Sequence, residues 1–541
     1  MLLLSIALVL QTASPLAIVD DHIREQQDML HYDIAVSISN RADSIVGATR
    51  LLYVTHGGQG PLVLDFDRAL AIDSILLGPD RATPGDDWRW EDNAVEGGDL
   101  LEIDHWSPSG DTLSVTVHYH GRPRDGLVMQ RNVHGAPSVF ADNWPNRARH
   151  WFPAEDHPSD KATAEITVEV PAKWQAISNG RLVGVDSLAG GRTAWQWRED
   201  RRIPAYTMVL GAARMAITSL PRVHGVPQSV WTFVEDSTFA IDGPFRRAAR
   251  IALVFDSVVG PFPYEKLAHV QSSTQFGGME NSSAIFYNER GYARRSMGEG
   301  VVTHETAHQW FGDAVTEYDW HHLWLSEGFA SYFGPLFYEM IGDDSTFRAR
   351  MRAAKRRYLA SDLVGRPVID TAEHDLFKLL NDNNYPKGAW ILHMLRGEIG
   401  DRAFFAGIRD YYSTYRDSTA LSSDFARIMS RHAGRDLNWF FEQWLLQPGY
   451  PKLDIGWSYD EQGKRVLLSV EQTQSTEWGT FALSLPVMLR FPDGDTKTVL
   501  VNLGTERLSV VRFSTDVKPV TVVPDPDGSL LVEIEKVRGG R

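Results

Sequence analysis

The sequence predicts a multidomain α+β protein: an N-terminal antiparallel β saddle, a mainly helical middle domain and a small C-terminal β-sandwich. Three observations carry this. Residues 30–218 alternate apolar and polar side chains in short runs separated by Gly and Asn pairs, the pattern of many short strands in a large antiparallel sandwich or saddle. Residues 239–447 carry apolar residues at helical spacing. From residue 452 the alternation returns. A chain of 541 residues is also too long for one ordinary core, so two to four domains are expected.

Taken in order, residues 1–10 form an apolar run followed by Gln-Thr-Ala-Ser-Pro. The run is too short to span a bilayer and reads as the core of a signal peptide, cleaved near Ala13 or Ala17. Residues 1–17 are therefore expected to direct export to the periplasm or the medium. No Lys or Arg precedes the run, so an ordinary apolar N-terminal strand in a cytoplasmic protein is the alternative. No other stretch holds eighteen uninterrupted apolar residues, so no transmembrane helix is expected.

The N-terminal domain is expected over residues 18–222. Residues 31–38, 113–119 and 164–170 alternate cleanly, with turns marked at 57–60, 97–99, 109–111, 179–180 and 190–191. Within it, residues 140–162 (FADNWPNRARHWFPAEDHPSDKA) are aromatic, proline-rich and charged without a period. A loop so rich in aromatics is expected to pack against a neighbour such as the next domain.

The middle domain is expected over residues 223–450. An amphipathic helix over 244–259 is stopped by Pro261-Phe-Pro, and a strand over 267–276 leads into Gly277-Gly278-Met279-Glu280-Asn281. Further helices are predicted over 323–340, 347–362, 386–398, 403–415, 422–431 and 439–446. The breaker Gln-Pro-Gly-Tyr-Pro at 447–451 closes the domain. The last domain, residues 451–541, has candidate strands at 466–470, 482–491, 498–501 and 530–534.

The chemistry centres on residues 301–334. His304, Glu305 and His308 have the spacing H-E-x-x-H, and Glu327 follows after eighteen residues. Two histidines four apart on a helix share a face and can reach one metal ion. Glu305 is turned about 100° from His304, which suits a base touching a water beside the metal better than a ligand. Chance matches to this motif in a chain of this composition number roughly 0.04. Val301, Val302, Trp310 and Phe311 make the helix apolar, and buried imidazoles and carboxylates need partners, for which a divalent cation serves. His304, His308 and Glu327 leave one zinc position open, as a catalytic site requires. The net charge of −16 excludes a basic nucleic-acid footprint. The absence of cysteine excludes disulfides, thiolate metal sites and cysteine nucleophiles.

Two further stretches are open on local grounds. Tyr385 precedes Pro386, which suits the first position of a helix and pushes Tyr385 into extended conformation at its mouth. Its hydroxyl then points into a cleft, to stabilise an oxyanion, or packs in the core. Gly277 and Gly278 admit close backbone approach, with Glu280 able to hold a cationic group, though a glycine turn with an exposed Glu reads equally well.

The combination of Gly277-Gly278-Met279-Glu280-Asn281, the His304/Glu305/His308 motif with Glu327, and Tyr385 before Pro-Lys-Gly-Ala resembles the aminopeptidase N family of zinc metallopeptidases, the gluzincin type. Ala148-Arg-His-Trp-Phe-Pro, Pro261-Phe-Pro-Tyr-Glu-Lys-Leu and residues 439–451 extend the resemblance. It implies a thermolysin-like catalytic domain with one Zn2+ per chain on His304, His308 and Glu327. It implies Glu305 as general base and Tyr385 as oxyanion stabiliser. Glu280 would bind the substrate's free α-amino group, and Gly277, Gly278, Met279 and Asn281 would line the peptide as an added strand. The implied partner is a peptide with a free N-terminus, and the implied reaction is hydrolysis of its first peptide bond.

The sequence departs from the family pattern at four places. The acid or Gln that helps hold the amine aligns with Trp144, leaving Asp142 two residues earlier as its candidate substitute. Asp313 stands in place of an Asn, and His321-His322 in place of an Asn-Asp-like pair. These histidines read as packed or exposed, or as outer partners of a zinc histidine. No long helical region follows the last β domain in this sequence, from which a more open cleft admitting longer peptides is expected. Alternatives to an aminopeptidase are a zinc endopeptidase, a hydrolase acting on another electrophile such as an epoxide, and a non-enzymatic binding protein.

Overall fold

The computed structural model describes residues 14–19, 24–56, 60–93, 98–107 and 110–539. The apolar run at residues 1–10, expected as a signal core, lies outside them, as do most of the turn residues at 57–60 and parts of those at 97–99 and 109–111.

The N-terminal half is β-rich. Its largest sheet has eight strands in the order Arg181–Leu188, Arg192–Ile203, Ala162–Pro171, Gln27–Ile38, Ile45–Thr55, Leu113–Gly121, Leu70–Leu77, Asp80–Arg81. Ala162–Pro171 alternates buried and half-buried residues along its whole length, so one face of the sheet is packed and the other meets solvent. The expectation of an antiparallel sheet needs one correction. Gln27–Ile38 pairs in parallel with Ala162–Pro171, with Ile34 opposite Ile166. Besides strands of this sheet, the chain between these two strands supplies a separate three-stranded sheet and half of a four-stranded one before it returns. These are the strands Leu62–Asp65, Asp99–Ile103 and Trp88–Asp92, and the pair Leu127–Arg131 and Pro137–Ala141.

A boundary at 222/223 falls inside a hairpin. Met215–Val223 pairs antiparallel with Val226–Phe233. That hairpin continues into a mixed five-stranded sheet with Leu267–Ser272, Ala284–Asn288 and, at its edge, Gly278–Met279. Met215–Val223, expected as the end of the N-terminal domain, is therefore the outer strand of the middle domain's sheet. Its helices follow. Trp324–Met340 buries most of its residues, as a helix apolar around most of its circumference must. Glu299–His308 lies against it, with Phe311 ring centroids 4.7 Å from both Phe329 and Phe333. Trp310, Trp324 and Trp390 are fully buried, and truncating any of them to Ala costs about 3–5 kcal/mol. The helices expected over 386–398 and 403–415 form one run, Gly388–Tyr415, broken at Gly400, whose φ of 77° only glycine adopts readily.

The last ninety residues form two sheets. One has the order Leu508–Ser514, Arg465–Gln472, Lys452–Asp460, Glu533–Gly539; the other is Thr496–Leu503, Leu483–Arg490, Thr521–Pro524. Leu468, Val470, Leu485 and Val487 are buried between strands and neighbours. Lys452–Asp460, Leu508–Ser514 and Thr521–Pro524 were not anticipated, and they supply partners without which the predicted strands would have open edges.

Residues 140–162 are an interdomain joint. Trp144 packs edge-on against Phe276, Trp320 and Phe377 of the middle domain. Lys161 is buried, and its Nζ donates to the carbonyls of Asp313, Ala314 and Ser418, three acceptors for the three protons of an ammonium. Residues 14–19 also dock on the middle domain: Leu16 is fully buried, its carbonyl accepts from Ser423 N, and the Ile18 carbonyl accepts from His322 Nε2. Replacing Lys161 with Met removes all three donors from the joint. The expected result is a loss of about 1–3 kcal/mol, read as a lower urea midpoint.

Candidate active site

Two helices, an edge strand and a π-helical turn bring most of the predicted residues together at one cleft of about 670 Å³. Helix Glu299–His308 supplies His304, Glu305 and His308, and helix Trp324–Met340 supplies Glu327 from its first turn. His304 Nε2 stands 3.1 Å from His308 Nε2 and 3.2 Å from Glu327 Oε2, and His308 Nε2 stands 3.3 Å from the same oxygen. Two imidazole lone pairs do not stabilise each other at such separations, but three ligands of a tetrahedral ion at about 2.0–2.1 Å lie about 3.3 Å apart. The donor set fits zinc.

The proton positions agree. His308 Nδ1 lies 3.1 Å from the Phe311 carbonyl and 3.0 Å from Ser326 Oγ. A carbonyl only accepts, so the proton sits on Nδ1 and the Nε2 lone pair faces the other two donors. A positive charge where these donors meet, a second proton on His308 or a bound cation, outweighs the burial of the Glu327 carboxyl and holds it well below the usual carboxylate range.

Glu305 faces the same space. Burial raises its pKa well above the ordinary value, against the pull of His308, an effect that a bound dication opposes. The Glu305 carboxylate also explains a glycine. A Cβ on Gly278 would overlap it, whereas a Cβ on Gly277 would meet nothing. Gly278–Met279 is the outer strand of its sheet, with Gly278 opposite Tyr287. Its free edge lies along the cleft, which Gly277, Gly278, Met279 and Glu280 all line.

Glu280 closes one end. Burial pushes its carboxyl up to about 7, against the pull of His308. Its backbone is fixed through Gln309, whose Nε2 donates to the Glu280 carbonyl at 2.6 Å and to Asp313 Oδ2 at 2.7 Å, while its Oε1 accepts from Ser283 N. Asp313 therefore holds the strand loop through Gln309. Asn281 is fully buried behind the strand and does not line the cleft.

Tyr385 reaches the site by a different backbone from the one expected. It is not extended ahead of a helix but lies within the wide π-helical turn Asn383–Lys387. Pro386 fits there because Tyr385 N and Lys387 N bond back to Asn381 and Asp382 around the missing Pro N–H. The Tyr385 hydroxyl donates to Glu327 Oε1 at 2.5 Å, and its ring lies nearly parallel to that of His304, centroids 6.0 Å apart. Burial, then the Glu327 carboxylate, raise its pKa well above the phenol value, so the hydroxyl keeps its proton. The turn can lie this close because Gly328 and Gly388 meet without side chains. A Cβ on Gly328 would stand 2.9 Å from Gly388 Cα.

Asp142 is not brought to the cleft. It is buried, accepting from Thr274 Oγ1 at 2.8 Å and Gln275 N at 3.3 Å and pairing with Arg147 Nη2 at 3.3 Å. Trp144, two residues on, lines the wall instead. His321 and His322 are packed and do not touch the ligands. His321 bonds Asp319 Oδ1 and the Glu373 carbonyl, and His322 bonds Ser422 Oγ and the Ile18 carbonyl. The outer partner of a ligand histidine is Ser326, which the sequence reading missed. Its only signal was a hydroxyl immediately before Glu327.

A two-histidine, one-glutamate donor set with a carboxylate beside it defines a single-metal centre with its own base. The comparisons agree with that class. A Peptidase M1 N-terminal domain matches residues 30–207 and a Peptidase family M1 domain matches residues 247–444. The chain belongs to peptidase family M1. It is 28% identical over 322 residues to a probable aminopeptidase 2 of Sulfurisphaera tokodaii, covering 56% of this chain and 40% of that one. It is 26% identical over 378 residues to aminopeptidase N of Lactococcus lactis, covering 64% and 44%. The chain thus spans less than half the length of these two curated relatives. In fold it is similar to a Legionella pneumophila aminopeptidase A solved with aspartic acid, at a TM-score of 0.80 and 17% identity over 95% of this chain and 60% of that one. It is also similar to an M1 zinc metallopeptidase of Deinococcus radiodurans, at 0.68 and 24% over 79% and 95%.

Because Gly328 faces Gly388 backbone to backbone, Gly328→Ala is expected to cost about 1–3 kcal/mol. It should also push Tyr385 from Glu327. A lowered thermal midpoint together with impaired turnover would show both.

Proposed function

We propose that the protein is a zinc aminopeptidase that releases the N-terminal residue of peptides, within the three-domain architecture of β saddle, thermolysin-like catalytic domain and β-sandwich. The observation that carries this is the convergence of His304, His308 and Glu327 donors beside Glu305, with Glu280 at the end of the same cleft. His304, His308 and Glu327 would hold one ion. When bound, zinc polarises a carbonyl and lowers the pKa of water in reach to about 7.

This chain's own residues do the rest. Glu305 accepts the proton of the attacking water and hands it to the leaving nitrogen. Tyr385 gives up its bond to Glu327 and donates to the carbonyl oxygen as that oxygen gains negative charge. The free edge of Gly278–Met279 pairs with the peptide backbone and sets its register. Glu280 receives the α-ammonium. Three carboxylates in one cleft make that end a site for a cation. With Asp142 engaged elsewhere, amine binding rests on Glu280. Trp144 and Phe276 stand on the wall of the same cleft and offer an aromatic face to the first side chain.

We also read residues 1–17 as containing an export leader. Cleavage near Ala13 suits the docking of Leu16 and Ile18 better than cleavage near Ala17, which would remove Leu16. N-terminal sequencing of the exported protein decides between them.

The decisive test is hydrolysis of alanine arylamide with metal analysis. One zinc per chain and turnover abolished by a chelator are expected. Glu305→Gln should keep the metal and lose activity by about 10³-fold or more, and Tyr385→Phe should lower kcat by about 10²-fold with a smaller change in KM. Full activity in Glu305→Gln would sink the proposal. Ser326→Ala should keep the fold but weaken zinc affinity by about 10-fold, read by competition with a chromogenic chelator.

A further inference from the structure

The cleft is electrically polarised along helix Glu299–His308. At the helix's C-terminal end, Gln309 holds the Glu280 backbone, and Glu280, Glu305 and Glu327 cluster. At its N-terminal end the cleft wall is Arg350, with Ala353, Ala354 and Arg357 on the same face of helix Asp344–Leu359. A Cβ at Gly300 would stand 2.6 Å from Arg350 Nη1, so the guanidinium rests over the first turn of the metal-ligand helix.

Arg350 is held in place without being neutralised. Its Nη2 donates to the Tyr338 hydroxyl at 3.2 Å, and its guanidinium carbon lies 4.7 Å from the Tyr338 ring centroid. The acid nearby, Glu299, is taken by Tyr338 Oη at 2.9 Å and by Arg247 Nε at 2.6 Å. Arg357 is paired with Asp382. Among the described residues Arg350 has no ion pair within 4.0 Å. From Gly300 to His308 the helix rises about 12 Å, the reach of about three to four extended residues.

We propose that Arg350 is a carboxylate-binding residue on the leaving-group side of the cleft, selecting peptides that carry a carboxylate about three to four residues from the amino end. This rests on the aminopeptidase reading for its direction: amine at Glu280, scissile bond at Glu305 and Tyr385, carboxylate at Arg350. A zwitterionic short peptide then lies with its charges matched to both ends, and the guanidinium fork engages both carboxylate oxygens. The carboxylate comes from the C-terminus of a tri- or tetrapeptide or from an acidic side chain of a longer one.

The test compares kcat/KM for Ala-Ala-Ala with its C-terminal amide, and for Ala-Ala-Glu amide with Ala-Ala-Gln amide. The first pair reports a terminal carboxylate and the second a side-chain one. In the wild type at least one acid-to-neutral ratio is expected at about 10-fold or more. It should fall to about one in Arg350→Gln and survive in part in Arg350→Lys. Calorimetric binding of the same peptides to zinc-loaded Glu305→Gln, with and without Arg350→Gln, gives the same comparison without turnover. Ratios near one in the wild type, or ratios that persist in Arg350→Gln, overturn the proposal. A wild type that cleaves no alanine arylamide overturns the aminopeptidase reading instead. The calorimetric acid-to-amide difference then still decides for or against Arg350.

Discussion

Three buried carboxylates meet the buried His308 imidazole and the half-buried His304 imidazole, and the rest of the architecture is arranged around that electrostatic problem. Glu280, Glu305 and Glu327 would repel one another in a low-dielectric interior. In the proposed reading, two cationic partners would resolve the conflict: a metal ion held by His304, His308 and Glu327, and a substrate ammonium at Glu280. A protein that buries such a group without cations would leave it protonated or unfold around it. On that reading, recognition of the amino end and the reactive centre would share one electrostatic balance.

Rigid packing holds the cluster in register. The ligand helix and the Glu327 helix are locked by aromatic rings, the Tyr385 turn by two glycines in backbone contact, and the Glu280 strand by Gln309 and Asp313. The N-terminal domain takes part through Lys161, which donates to the Asp313 carbonyl, and through Trp144 on the cleft wall. A β-rich domain that seemed peripheral to the site thus supports the Glu280 end of the cleft.

The metal site was legible because its residues are close in sequence and their spacing equals a helical turn. Glu327 was legible because it sits at the start of the next helix. What lay across the chain was not legible. Ser326 and Gln309 have ordinary residue types at positions whose partners come from tertiary contact. Arg350 looks like one of many arginines on an amphipathic helix, and only the fold shows that its face borders the cleft. Tyr385 reaches the cleft, but on a backbone other than the expected one, because Pro386 signals a helix start equally well inside a wide turn. Asp142 was proposed from alignment distance, yet its lone pairs are used by Thr274, Gln275 and Arg147. The helices of the middle domain were readable from periodicity, whereas the parallel strand pair and the hairpin across residue 222 depend on long-range pairing that local pattern does not encode.

The central claim is that Glu280 reads a free amine beside the metal centre. It is tested most directly by the ratio of kcat/KM for alanine arylamide to that for its N-acetyl derivative, in the wild type and in Glu280→Ala. The account predicts a preference for the free amine of about 10²-fold or more that collapses in the variant. Equal cleavage of both substrates by the wild type, or an undiminished preference in Glu280→Ala, would contradict it.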